Sequence, residues 1–294
     1  MSIALLALAL PLVGPILPQQ RTLVSAGTLP SRWDTAFHLP GGDRQPVRAF
    51  ALFDDGTGEA LYAGGDFFTL GKGAGPSIAR WNGREWESVE TPWRYGPWTA
   101  SEVRDLLVHD GKLYVAGSFT SNPTQTSPLA VWDGVTWDFI LGALDTLTFG
   151  SGGHVLHADA AGLYIGGLFD GIEGGSMRNV ALFDGTQWNP LGAGTDEVVR
   201  AFAVSGADGA PQLYLGTGAG SGSPPPATLL RWDGTSLQPT GITDSVFSLS
   251  NLSIAGQDHL VLALGAQGLA SYRGGVASTL GGVSGSIVET LVRA

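Results

Sequence analysis

The stretch LYAGGDF at residues 61–67 returns with small changes as LYVAGSF at 113–119 and as LYIGGLF at 163–169. Weaker copies follow as QLYLGTG at 212–218 and LVLALGAQG at 260–268. Each copy is the second of four short apolar runs that are separated by turn signals. Self-similarity at a nearly constant spacing is the signature of a repeat architecture.

One aromatic residue in the third run of each unit gives the length of the repeat. These residues are spaced by 51, 51, 49 and 40 positions, and they are Trp81, Trp132, Phe183, Trp232 and Tyr272. An Asn-Gly or Asp-Gly pair, a strong signal for a hairpin turn, follows the first four. A unit of roughly 40–50 residues with four short antiparallel strands is typical of a β-propeller blade.

The two ends of the sequence supply the parts of one more unit. SRWDTAFHL at 31–39 resembles the third and fourth strands, LVSAGTL at 23–29 a second strand, and VETLVRA at 288–294 a first strand. We therefore expect an all-β, six-bladed β-propeller of four-stranded antiparallel blades. Its N- and C-terminal strands share one blade and close the ring, which removes the strand edges that invite aggregation.

The first 26 residues have the character of an export signal. Their apolar run at 3–13 is shorter than a bilayer span of about 20 residues, and VSA at 24–26 supplies a small-residue cleavage pattern. No Lys or Arg precedes the run, so an N-terminal anchor and a misplaced start codon are the alternatives. We predict a signal peptide at 1–26 and a single propeller domain at 27–294. Cleavage after residue 26 would shorten the strand at 23–29, which leaves the content of the shared blade open.

Glycine in the middle of a predicted strand is the unusual feature of the repeat. Gly64 and Gly65 lie where glycine normally weakens strand pairing. We expect this bare backbone to receive the third-strand ring, Trp81 or its counterpart, of the adjoining blade. The aromatic residues that end the same runs are expected to close the apolar layer: Phe67, Phe119 and Phe169.

Composition excludes several classes of protein. Lys and Arg number 15 against 26 Asp and Glu, and the net charge of −11 argues against nucleic acid and anionic membranes as partners. The absence of cysteine removes disulfides, zinc–thiolate sites and thiol nucleophiles. His154 and His157 are three apart on a predicted strand and face opposite sides, so they form no ready metal pair. DDGTGE at 54–59 lacks the spacing of a twelve-residue calcium loop and is interpreted as a turn. We predict no metal, no cofactor and a monomer.

The longest connection between units is the first candidate for binding. ETPWRYGPWTA at 90–100 gathers Trp93, Arg94, Tyr95 and Trp98. It belongs to the loop face, which carries the connections between blades and between second and third strands. Exposed aromatic rings beside a guanidinium suit stacking on sugars or gripping a peptide. The alternative is that this segment folds back over the apolar edge of a blade.

A set of charged residues at matched first-strand positions is the second candidate. They are Arg48, Arg104, Arg200 and Glu289. Because first strands surround the central channel of a propeller, these side chains would line one mouth of it. A ring of positive charge in an acidic protein attracts an anionic ligand. The alternative is that each arginine pairs with a neighbouring carboxylate and joins adjacent blades.

The repeat resembles that of secreted bacterial proteins with the pattern LYxGGxF…ARWDGxxW. These are similar to kelch-type and galactose-oxidase-like propellers and to the repeats of fungal cortical cell-polarity markers. The stretches LYAGGDF…IARWNGREW and LYIGGLF…VALFDGTQW match well, and the resemblance covers about residues 31–294. It implies the fold and carries no activity. The Tyr–Cys copper cofactor of galactose oxidase needs a cysteine and is excluded.

These observations favour a recognition protein. We expect a non-catalytic module, secreted, periplasmic or at the surface of a bacterial cell, that binds a glycan or protein ligand at its loop face and has no membrane-spanning segment once mature. One alternative is a propeller hydrolase or lyase that acts on glycans through carboxylates at the loop face or channel mouth. The other is a structural cell-surface repeat protein.

Overall fold

The structure, a computed structural model, describes nine stretches of the chain. They are residues 46–70, 75–93, 101–122, 125–140, 151–172, 175–218, 228–254, 256–265 and 268–280. All of them belong to one compact unit, Leu39–Arg293. The described residues are all-β and contain no helix, so none of them forms an apolar helix long enough to cross a bilayer.

The described residues form five four-stranded antiparallel sheets in succession, and in each the strands pair in chain order. Sheet 1 contains β1 (Val47–Asp54), β2 (Glu59–Gly65), β3 (Ile78–Trp81) and β4 (Trp86–Ser88). Sheet 2 contains β5 (Glu102–His109), β6 (Lys112–Asn122), β7 (Gln125–Trp132) and β8 (Trp137–Ile140). Sheet 3 contains β9 (Gly152–Asp159), β10 (Gly162–Leu168), β13 (Val180–Phe183) and β14 (Trp188–Pro190), with the small hairpin β11 (Gly171–Ile172) and β12 (Gly175–Ser176) between its second and third strands. Sheet 4 contains β15 (Val198–Ser205), β16 (Gln212–Gly218), β17 (Leu229–Trp232) and β18 (Leu237–Pro239). Sheet 5 contains β19 (Val246–Ile254), β20 (Gln257–Leu264), β21 (Gly268–Arg273) and β22 (Val276–Thr279).

The arrangement is propeller-like, because each sheet packs face to face on the next. The first strand of each of sheets 1 to 4 contacts the first strand of the sheet that follows it. Four apolar clusters fill the four spaces between neighbouring sheets. Burial on both faces explains why the apolar runs do not alternate cleanly with polar residues.

The first glycine of the repeated pair makes room for a neighbouring sheet, but the residue that enters is not the one expected. A Cβ atom on Gly216 would lie 2.6 Å from Cγ1 of Val246, on the first strand of the next sheet. Gly64 meets Val103 in the same way. The prediction that a third-strand ring covers this glycine is therefore wrong. The first-strand valine lies closer to the glycine because first strands pack directly on the second strands of the preceding sheet.

In sheets 2 and 5 the third-strand ring packs instead on the tyrosine of the preceding sheet. The Trp132 ring lies 5.7 Å from the Tyr62 ring and 5.6 Å from the Phe53 ring. In sheet 5, Tyr272 lies 6.1 Å from Tyr214 of sheet 4. The three aromatic residues that end the second runs are buried as predicted: Phe67, Phe119 and Phe169.

The predicted sixth blade lies outside the described residues, since it was assigned to 23–39 and 288–294. The described part of the chain contains five sheets of this kind. Sheets 1 and 5 are the two ends of the row, and each packs on one neighbouring sheet among the described residues.

Candidate functional site

Every first strand carries a β-bulge at the same place, near its start. Pairing with the second strand skips one residue in each sheet, so that two residues oppose one. A bulge bends its strand and re-aims the extra side chain away from the regular alternation. The five extra residues, in the order of the sheets, are Arg48, Arg104, His154, Arg200 and Phe247.

The second glycine of the repeated pair accommodates this bulge. A Cβ atom on Gly65, Gly117 or Gly167 would collide with the backbone carbonyl oxygen of Pro46, Glu102 or Gly152, respectively. Glycine therefore lets the bulged strand approach closely at this point. The two glycines of the pair thus have separate roles, one toward the next sheet and one toward the bulge of its own sheet.

Two of the three guanidinium groups at the bulges pair with the same carboxylate. Glu102 forms an ion pair with Arg104 and a second one with Arg48, at 3.8 Å. Burial lowers the pKa of Arg104, Glu102 opposes the shift, and the positive charges of Arg48 and Arg200 add to it. The positive charges of Arg48 and Arg200 therefore act on Arg104 from sheets 1 and 4. Glu102 joins sheets 1 and 2, as the pairing alternative anticipated.

The Arg200 guanidinium is oriented by the fifth bulge residue. Its central carbon lies 5.4 Å from the centre of the Phe247 ring. A ring face below a guanidinium is an attractive cation–π contact. Phe247 thus supports the cationic set although it carries no charge.

His154 is the member of this set that the sequence interpretation missed. It was considered only together with His157, as a metal pair, and the described residues contain no group of three or more His, Asp or Glu that would hold an ion. His157 packs between sheets 3 and 4, with its ring 5.9 Å from Tyr164 and 6.3 Å from Phe202, and burial lowers its pKa. Aligning GHVL at 153–156 with VRAF at 47–50 would have given His154 the same position in its repeat as Arg48.

Trp93, the first residue of the aromatic candidate group at 93–98, is buried. Trp93 is 4% exposed, and its ring lies 4.6 Å from Phe119 and 4.9 Å from Trp137. Its ring face is therefore occupied by the core between sheets 1 and 2, and the expectation of an exposed Trp93 is wrong. The other three residues of that group, Arg94, Tyr95 and Trp98, lie outside the described residues, as does Glu289.

Among the described carboxylates, Asp105 has the most clearly raised pKa, and its hydrogen bonds give it a structural role. Burial raises the pKa of Asp105 to about 6, while backbone N–H groups of Leu156 and Leu106 counteract the shift. The Asp105 Oδ2 atom accepts from the Leu156 N–H at 2.7 Å, and Oδ1 from the Leu106 N–H at 2.9 Å. Both of these partners are backbone N–H groups. The contact to Leu156 ties sheet 2 to sheet 3.

Comparison with known proteins identifies a likeness in fold alone. No protein-family model matches the chain, and no curated protein matches it. The extracellular domain of the hybrid two component system BT4673 from B. thetaiotaomicron is similar in structure, with a TM-score of 0.50 and 11% identity over 80% of this chain and 27% of that one. A second structure of the BT4673 extracellular domain, described there as a one component system, gives a TM-score of 0.51 and 11% identity over 82% of this chain and 29% of that one. The chain thus spans less than a third of the length of these neighbours.

Proposed function

We propose that this protein is an extracellular, non-catalytic binding module that holds an anionic ligand against its bulge residues. The observation that carries the proposal is the shared register of the five bulges, which gives Arg48, Arg104, His154 and Arg200 equivalent places in four sheets. Side chains at bulges are released from the pleat, and such positions are often used at binding sites. A cationic set on a chain of net charge −11 concentrates anions locally.

A carboxylate-bearing oligosaccharide is the ligand class that fits this chemistry best. Guanidinium groups bind carboxylates through paired, charge-assisted hydrogen bonds. Tyr95 and Trp98 stay our candidates for stacking on sugar rings, because their segment leads into Ser101 and Glu102, directly before the bulge at Arg104. Glu289 is proposed for the equivalent position in the sixth unit. The enzyme alternative would need two converging carboxylates, and the described ones give it no support.

An extracellular location is part of the proposal and has two supports. The apolar segment at 3–13 has the length of a signal sequence, and the neighbours in fold are extracellular domains. We propose that residues 1–26 are the signal peptide and that residues 27–294 form a single propeller domain.

We also propose that residues 23–39 and 288–294 form a sixth sheet between sheets 5 and 1. Phe50 and Leu52 point away from sheet 2 and are 43% and 52% exposed, whereas Phe202, the counterpart of Phe50 in sheet 4, is buried against sheet 3. Leu252 on the far side of sheet 5 is 50% exposed. A sheet in this position would cover all three and would close the ring.

Replacing Phe50 with serine tests the sixth sheet. Burial of a phenylalanine side chain is worth about 1.5–3 kcal/mol, so a covered Phe50 predicts a loss of that order in the free energy of unfolding, measured by urea denaturation. Val135→Ser, at a side chain that is 85% exposed, is the matched control and should be neutral. Equal stability of both variants would overturn the closure.

Calorimetric titration with trigalacturonate, and with neutral galactotriose as its matched sugar, tests the binding function. We expect binding of the acidic sugar alone, weakened at least tenfold in Arg48→Gln and in Arg104→Gln because each loses a charge-assisted hydrogen bond. Arg48 is 40% exposed, so its variant should fold normally even if Arg104→Gln does not. Arg84→Gln, on the turn between β3 and β4, is the control and should bind normally. Absence of binding, or binding that ignores Arg48→Gln, would refute the proposal.

A further inference from the structure

A polar groove lies between sheets 4 and 5, at the opposite ends of the strands from the bulges. Its volume is about 730 Å³, and it is formed by the turn that follows β15 and the turn between β21 and β22. The residues that matter chemically are Asp208, Arg231, Thr240, Tyr272 and Arg273. We call it the sheet 4–5 groove.

The groove is open because the bulky residues of the repeat are replaced there by smaller ones. At the same place between sheets 1 and 2, Trp132 stacks on Trp137 with ring centres 5.3 Å apart and also packs on Phe53. The counterpart of the Trp132–Trp137 pair is the cross-strand pair of Tyr272 and Ala277. The counterpart of Phe53, five residues after the bulge, is Ser205.

Arg231 is less neutralised than its counterpart in sheet 1. Arg80 contacts Asp55 at 3.4 Å and Glu87 at 3.3 Å, and donates to the Thr57 hydroxyl at 2.8 Å. Among the described residues Arg231 forms one ion-pair contact, with Asp208 at 3.8 Å, which is beyond hydrogen-bond distance.

The cross-strand neighbour explains this difference. Arg80 is paired with Glu87, whereas Arg231 is paired with the neutral Gln238. The Gln238 amide donates to Asp233 and Ser236. The guanidinium of Arg231 therefore keeps donor capacity toward the groove.

Arg273 brings a second guanidinium to the opposite wall. In the other four sheets this turn position holds an amide or carboxylate that accepts hydrogen bonds from the turn backbone: Asn82, Asp133, Asp184 and Asp233. In sheet 5 the turn consists of Gly274 and Gly275, with φ of 59° and 79°, a conformation that glycine adopts without a side-chain cap. The exposed Arg273 contacts a neutral group, the side-chain oxygen of Gln257.

Asp208 is held in place beside the two arginines. Its Oδ2 atom accepts from the hydroxyls of Tyr214 at 2.8 Å and Tyr272 at 3.1 Å, and Oδ1 accepts from the Gly275 N–H at 3.1 Å. Burial first, and then the Asp208 charge, raise the pKa of Tyr272 to about 12, so this hydroxyl stays a donor. Among the described lining residues, two guanidiniums beside one fixed carboxylate give the groove one excess positive charge.

We propose that the sheet 4–5 groove binds a small polyhydroxylated carboxylate, such as a monomeric sugar acid. The carboxylate of the ligand lies between Arg231 and Arg273, and its hydroxyls hydrogen-bond to Asp208 and Thr240 on the polar walls. The volume suits a mono- or disaccharide. This site shares no residue with the bulge set, so it is independent of the function proposed above.

Binding of glucuronate, measured by calorimetry and by ligand-observed NMR, tests the proposal. We expect saturable binding that weakens about tenfold or more in Arg231→Gln and in Arg273→Gln, because each removes a charge-assisted hydrogen bond. Arg80→Gln is the matched control at the equivalent position of sheet 1, and it should bind normally. Arg48→Gln should also bind normally, which separates this site from the bulge set.

Two further probes define the ligand class. Glucose should not bind, because it lacks the carboxylate, and glutarate should bind more weakly than glucuronate, because it lacks hydroxyls. Glutarate binding as tight as glucuronate binding would overturn the sugar-acid assignment. Absence of glucuronate binding, or binding unchanged in both Arg231→Gln and Arg273→Gln, would overturn the site; Arg273 is exposed, so its variant gives a result even if Arg231→Gln unfolds.

Discussion

The buried carboxylate of Asp105 should make the stability of the protein fall as pH rises from about 4 to about 6. Its pKa in the folded protein is about 6, against an ordinary value of 3.8. The folded state therefore binds this proton more tightly than the unfolded state does. The contribution of Asp105 to the free energy of unfolding is fully present below the unfolded pKa and is lost as pH passes through the folded one.

The size of the effect follows from the shift. A difference of about two pKa units corresponds to about 3 kcal/mol at 1.36 kcal/mol for each unit. This is an upper figure, because Asp105 keeps some accessible surface. Asn at this position stays neutral at every pH and can still accept from the Leu156 N–H. Asp105→Asn should therefore gain up to about 3 kcal/mol relative to the natural protein between pH 3.5 and pH 7.5.

Urea denaturation at a series of pH values measures this difference. Asp133→Asn serves as a control of opposite sign, because hydrogen bonds from the Thr136 and Val135 N–H groups lower the pKa of the exposed Asp133. Its contribution is present above the unfolded pKa and is lost as pH falls. Parallel stability profiles for the natural protein and Asp105→Asn would refute the reasoning.

Three further substitutions test the packing. Gly216→Ala places a methyl group 2.6 Å from Cγ1 of Val246 and should cost about 1–3 kcal/mol in the free energy of unfolding, measured in urea; an unchanged midpoint would contradict the close contact. Trp93→Ala should cost about 3–5 kcal/mol by the same measurement, since it empties a core position, and a loss under 1 kcal/mol would contradict its burial. Tyr214→Phe removes the hydroxyl that donates to Asp208 and should cost about 1–3 kcal/mol; a neutral result in thermal unfolding would show that solvent replaces the hydrogen bond.

Much of the fold could be predicted from the sequence because hairpin turns and apolar runs are local signals. The Asp-Gly pair at Asp133 and Gly134, for example, lies in a turn between two paired strands, and Asp133 accepts the N–H groups of the turn. Local signals of this kind did not predict that Val103 of the next sheet lies in the space beside Gly64. That space depends on how deeply the first strand of the next sheet approaches, which no local pattern encodes.

The candidate site could be predicted only in part. The matched positions of Arg48, Arg104 and Arg200 follow from alignment of the repeats, but the bulge that re-aims them depends on strand pairing. The sheet 4–5 groove had a signal in the weaker fifth copy of the repeat. Tyr272 and Arg273 depart from the other units, and both departures line the same groove.

The bulges place the residues that would select a ligand outside the hydrogen-bonded ladder. Arg48 can be exchanged without breaking a cross-strand pair, because the register skips it, and the same holds at each equivalent place. In a scaffold of this kind, substitutions that change ligand specificity can occur without changing the strand pairing that forms the fold. Five single-residue changes are enough to explore a wide range of ligand charges on an unchanged frame.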